Sequence, residues 1–161
     1  MGRKKRPGWD LSGSSAENAK RVLPWLAARF FEAGREAVGL RPTAPALHKL
    51  RLRGKRLRYS LELFAPCYGP GLEHRLAELK KVQDYLGEIS DCDATTNLIS
   101  KTELNGDTDS ARLIDFLDAR KKHRIVHFAA HWKTYFDSPG QLESWLFYLK
   151  NYAGRTSPPR P

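Results

Sequence analysis

The sequence predicts an all-α protein, an antiparallel bundle of about five to six helices. Three observations support this. Apolar residues recur at three- and four-residue steps through most of the chain. No segment has the alternation and regular turn signals of strands. The breaks between periodic runs are short and rich in turn residues, as in "RPTAP" and "NGDTDS". Helices joined by short connections pack antiparallel. The 161 residues fit one domain with short tails, and 40% hydrophobic residues provide for a core.

Residues 1–14, opening "MGRKKRPGWD", read as a flexible basic tail. The first helix is expected from about Ser15 to Val38, with Ala19, Leu23, Leu26, Phe30, Ala33 and Ala37 in one stripe. Pro24 marks either a kink or a late start. The second helix follows "RPTAP" and runs to about Pro66. The third is expected from about Pro70 to Leu86, with Leu72, Leu76, Leu79, Gln83 and Leu86 on one face and Gly87 at its C′ position. The fourth covers about Asp91 to Leu104, capped by Ser90, which puts acids in its positive first turn. After "NGDTDS" the fifth runs from about Ser110 to Phe136 and carries Ile114, Leu117, Ile125, Phe128 and Trp132. A short sixth helix spans Gln141 to Tyr152. Residues 153–161, "AGRTSPPRP", read as a second tail because prolines cannot continue a helix.

The chain has 28 Lys+Arg against 18 Asp+Glu, a net charge of +10. That excess favours a polyanionic partner: nucleic acid, a phosphate polymer, anionic lipid or an acidic protein. Cys67 and Cys92 form neither a C-x-x-C pair nor a disulfide framework, which suits a reducing compartment. No apolar run approaches the ~20 residues of a membrane span. The basic N-terminus lacks the apolar centre of a signal peptide. A cytoplasmic protein without a membrane partner is therefore expected.

The most informative stretch is "LHKLRLRGKRLRYSLELF", residues 47–64. At 100° per residue its main apolar stripe is Leu47, Leu50, Gly54, Leu57, Leu61 and Phe64. One flank holds His48, Arg51, Lys55, Arg58 and Glu62, within about 80° on an ideal wheel. The other holds Lys49, Arg53 and Arg56. Opposite the main stripe stand Leu52 and Tyr59, a second apolar strip that suggests cover on two sides. No acid occurs from His48 to Arg58; Glu62 is the first, at i+4 from Arg58. Crowded cations without counter-charges suit a groove that holds a repeating anion.

This helix, followed by "LKKVQDYLGEISDCD" from Leu79 to Asp93, resembles the CHAD domain, the conserved histidine α-helical domain. The shared pattern is H-x-x-R-x-x-x-K-R-x-R-Y, then L-K-x-x-Q-x-x-L-G-x-x-x-D. "FFEAGREA", Phe30 to Ala37, also fits, and the resemblance covers about Ala16 to Leu98. It implies a single CHAD-type repeat and a non-catalytic protein that binds inorganic polyphosphate in a basic channel. It implies that role for His48, Arg51, Lys55, Arg56, Arg58 and Tyr59, with Lys80 on the next helix and Arg35 on the first. The wheel independently groups His48, Arg51, Lys55 and Arg58 but sets Arg56 on the other flank. Family members typically carry two such repeats with the channel between them, and this chain shows one. A homodimer that completes the channel is therefore expected, and polyphosphate granules become a location to test. A polyanion beside His48 would favour the protonated imidazole, so affinity is expected to rise as pH falls from about 8 to about 6.

Other constellations are weaker. His123, His127 and His131 stand at i, i+4 and i+8, a ligand spacing. No carboxylate or cysteine matches them, and Lys121, Lys122, Arg124 and Lys133 would repel a cation. Glu88, Asp91 and Asp93 could hold Mg²⁺, but the capping role for the fourth helix is the better reading. Neither cysteine has a nucleophile signature, and there is no P-loop. Trp25, Trp132 and Trp145 read as core. No catalytic residue, metal site or cofactor is expected. Two rivals remain open: a nucleic-acid binder, which lacks a recognisable motif, and an accessory or catalytic subunit of polyphosphate metabolism.

Overall fold

The computed structural model describes residues 7–39, 42–69, 71–101 and 107–154. Its elements are α1 (Ser15–Ala37), α2 (Ala44–Leu63), a 3₁₀ turn (Ala65–Cys67), α3 (Leu72–Ile99), α4 (Thr108–Tyr135) and α5 (Gln141–Asn151). The described residues hold no strand, so the protein is an all-α bundle. In it α1 packs against α2 and α5, α2 against α3, and α3 against α4.

The helix starts follow local chemistry. Ser14 and Glu17 form a capping box: Glu17 N–H donates to Ser14 Oγ at 3.3 Å, and Ser14 N–H donates to Glu17 Oε2 at 2.7 Å. This start carries α1 through Pro24, so the late-start alternative is wrong. Thr43 caps α2 by accepting from Ala46 N–H at 3.3 Å, with Pro45 in the first turn. Gly71 and Gly140 precede α3 and α5 with φ of 99° and 81°, a backbone region that glycine enters without strain.

The expected third and fourth helices are one. Gly87 lies inside α3, and Ser90 is a mid-helix residue rather than a cap. Packing overrides the local stop signal. Leu86, Ile89 and Cys92 carry the buried face past Gly87. Glu88 binds Arg120 and Arg124 of α4 at 3.2 and 2.7 Å, and Asp93 binds Lys121. A break at Gly87 would forfeit these contacts and strand backbone groups at two new termini. The expected start at Pro70 and the stretch to Leu104 fall partly outside the described residues, at positions 70 and 102–106.

Aromatic rings fill the centre. Trp132 and Phe136 of the α4 end lie 4.8 Å apart between centroids, and Phe30 lies 5.2 Å from Trp132. Phe31 and Trp145 close the cluster at 5.8 Å. Gly34 makes room for the Trp132 indole. All six residues of the expected α1 stripe are buried, and so are Val22, Ala27 and Phe31, because α1 is covered on more than one face. Part of the expected N-terminal tail is also held. Trp9 stacks on Phe64 at 5.5 Å, and Asp10 N–H donates to the buried Asn18 Oδ1 at 2.9 Å. At the other end Ala153 is buried and Gly154 N–H donates to Cys67 O at 2.7 Å.

Helices α3 and α4 each have 28 residues, about 42 Å, against 20 residues and about 30 Å for α2. Among the described residues no hydrophobic side chain from 93 to 127 is buried. Ile114, Leu117 and Ile125 are only half-buried, so the expected core role of α4 belongs to its last turns, at Phe128 and Trp132. No helix among the described residues is long and apolar enough to cross a membrane.

Candidate functional site on helix α2

The main apolar stripe of α2 is buried as the wheel requires: Leu47, Leu50, Gly54, Leu57, Leu61 and Phe64. Anchoring that stripe fixes where the charges point. The first flank borders α3. His48 and Arg51 line a groove of about 580 Å³ with Leu86, Ile89, Ser90, Asn97 and one acid, Asp93, of that helix. Lys55 and Arg58 continue the flank, both half-buried. His48 to Arg58 spans ten residue rises, about 15 Å. Arg58 binds Glu62 at 3.4 Å, the i+4 pair the sequence suggests, and its guanidinium lies 4.9 Å from the Tyr59 ring centre.

The second flank borders α1 instead. Lys49, Arg53 and Arg56 line a groove of about 500 Å³ with Arg29, and His48 stands on its rim as well. Trp25, Leu26, Pro45 and Leu52 supply apolar walls. Among the described residues no acid lines this groove. Lys49 binds Glu36 and Arg29 binds Glu32, whereas Arg51, Arg53, Lys55 and Arg56 make no ion pair among the described residues. Arg29 was not singled out by sequence because it sits on a different helix; only the packing of α1 on α2 brings it to the flank. Trp25, expected in the core, is half-buried and lines the groove.

The remaining residues divide. Lys80 is exposed on α3, where it binds Asp84 at 2.8 Å. An ideal wheel places it about 60° from Gln83, and Gln83 approaches Gly54 of α2. Arg35 binds Asp137 at 3.4 Å, beyond the end of α4, and lines neither α2 groove. Tyr59 and Leu52 are about half exposed, at 53% and 52%, and Leu63 extends their strip at 68%. The second apolar strip is thus real and bare in the single chain.

The histidine row splits. His123 and His127 bring their Nε2 atoms to 3.0 Å, while His131 turns inward to the buried Glu78 at 3.4 Å. Three of the four nearby cations are paired, Lys121 with Asp93, Lys122 with Asp118 and Arg124 with Glu88. Among the described residues no group of three or more His, Cys, Asp or Glu could hold a metal ion. Glu88 and Asp93 serve as interhelical ion-pair partners in mid-helix. The capping role expected for this acidic cluster is therefore incorrect, because the helix it would begin is continuous with the one before. Cys67 and Cys92 are free thiols.

No curated protein and no solved structure matches the chain. A family model described as the CHAD domain matches residues 3–100, more than half of the 161-residue chain. The matched stretch takes in α1, the basic helix α2 and α3 to its end, and on that match the chain belongs to the CHAD domain family.

Proposed function

We propose that the protein binds inorganic polyphosphate along the first flank of α2 and does no chemistry on it. One observation carries this reading: from His48 to Arg58 the helix bears a histidine and six cations with no acid among them. Of these cations, only Lys49 and Arg58 find an ion-pair partner among the described residues. Folding does not call for such crowding, and membership of the CHAD family supports the same ligand. Arg51 and Arg58 grip phosphate oxygens in bidentate fashion, Lys55 supplies a mobile point charge, and His48 and Tyr59 donate hydrogen bonds. Lys80 extends the surface from α3. Arg56, on the far flank, and Arg35, at the α4 end, contribute long-range field only.

Two copies pair through the strip of Leu52, Tyr59 and Leu63, so that each provides one basic helix. Two such flanks repel until an anion lies between them, which links pairing to ligand.

The test is a titration with long-chain polyphosphate at several salt concentrations, with duplex DNA as competitor. The parent is expected to bind with log affinity falling linearly in log salt. Arg51→Ala/Arg58→Ala is expected to lose at least tenfold, and DNA is expected to compete poorly. Equal displacement by DNA with an unaffected double variant would favour a diffuse polyanion surface. Phosphate release in the presence of Mg²⁺ would favour the enzymatic alternative.

A further inference from the structure

The groove between α1 and α2 has a chemistry that inorganic polyphosphate does not use. Its wall contains Trp25, Leu26, Pro45 and Leu52. A bare phosphate chain is hydrated on every side and gains nothing from covering indole and leucine. The rim is nevertheless basic, and among the described residues no acid lines it. We infer that this groove is a separate site for a small ligand that joins phosphates to a flat apolar body, of the nucleoside polyphosphate class.

Size agrees with that class. About 500 Å³ lies within the ~300–1,000 Å³ usual for small-molecule sites. The wall suits a base: Trp25 offers a ring, and the Arg29 guanidinium lies 5.7 Å from its centre. Aromatic rings and guanidinium planes both stack on bases without regard to sequence. Charge places the other end of the ligand. Arg53 has no ion-pair partner among the described residues and reaches the groove from α2, opposite Arg29 on α1. Two donors of α1 wall residues, Trp25 Nε1 and Arg29 Nε, are buried without a hydrogen-bond partner among the described residues. An acceptor-rich phosphate or base edge, reached by a small shift of the wall, would satisfy them.

The site does not rest on the polyphosphate reading: its cations, Arg29 and Arg53, lie off the first flank of α2, and it shares with that reading only His48 on the rim and Leu52 of the pairing strip. The experiment is calorimetric titration of the full chain, without Mg²⁺ and at fixed ionic strength, with ATP, inorganic tripolyphosphate and adenosine. ATP is expected to bind at least tenfold tighter than tripolyphosphate, and adenosine at least tenfold more weakly than ATP. Leu52→Ser removes a half-exposed apolar wall residue without touching the core, and Trp25→Leu removes the ring. Both are expected to erase most of the ATP preference. Arg29→Ala/Arg53→Ala should weaken ATP at least tenfold and change long-chain polyphosphate binding less than threefold. Arg51→Ala/Arg58→Ala should do the reverse. Tripolyphosphate binding as tightly as ATP would overturn the inference, as would an ATP preference that survives both wall variants. Equal losses of ATP and polyphosphate in Arg29→Ala/Arg53→Ala would assign the groove to the polymer path. Intact ATP binding with no polyphosphate binding would remove only the proposed function.

Discussion

His131 and Gly34 illustrate how single positions are governed by what packs on them. Burial pushes the His131 imidazole below its usual range, against the opposing pull of the Glu78 backbone and carboxylate; Lys81 pushes it further down. Glu78 and Lys81 face it from α3, Tyr85 also from α3, and Tyr135 from its own helix. The folded state therefore disfavours protonation of this histidine relative to the unfolded chain, which takes up a proton near pH 6.5. Its contribution to stability is present above that pH and is lost as pH falls through the lower folded value. Thermal melts from about pH 7 to 5 are expected to show Tm falling, with a shallower slope in His131→Gln. Gly34 answers to sterics alone. A Cβ there would overlap the Trp132 ring, so Gly34→Ala should cost about 3 kcal/mol in denaturant unfolding. A neutral result would mean that α4 does not close on α1 as described.

At the scale of elements, α3 is where local signals and tertiary packing disagree. Gly87 followed by Ser90 reads as a helix stop and a new cap, because both residues serve those roles in short-range rules. The buried run Leu86, Ile89 and Cys92, with the ion pairs to α4, outweighs the roughly 1 kcal/mol that a mid-helix glycine costs. The two readings predict opposite signs for one substitution. Nothing lies within 4 Å of a Cβ added at Gly87, so Gly87→Ala should stabilise the protein by about 0.5–1 kcal/mol. A left-handed glycine at a helix end would instead make the same change destabilising. Equilibrium urea unfolding separates them. Helix α2 behaves differently: its six-residue stripe is apolar without interruption, so burial of the stripe was legible from spacing alone.

For the whole molecule, charge and exposed apolar surface combine into a prediction about assembly. Leu52, Tyr59 and Leu63 are half exposed or more in the single chain. The basic flank beside them, with no acid from His48 to Arg58, resists close approach of a second copy. Sedimentation with a short polyphosphate should therefore show the mass doubling as ligand is added. Leu63→Asp should stay a single chain and, because pairing and ligand are linked, bind polyphosphate more weakly than the parent without losing it. A single-chain mass for the parent at saturating ligand would exclude the paired arrangement.

The helical class, the buried stripes of α1 and α2, and the acid-free basic run from His48 to Arg58 were legible from residue order alone. These depend on neighbours three and four residues apart, which periodicity reports directly. Three outcomes needed the packed fold: α3 is one helix, Arg35 leaves the flank for Asp137, and Arg29 and Trp25 join Arg53 in one groove. Those outcomes turn on residues far apart in the chain. The favourable energy comes from packing and pairing across helices, and no local pattern in the sequence records which helices will meet.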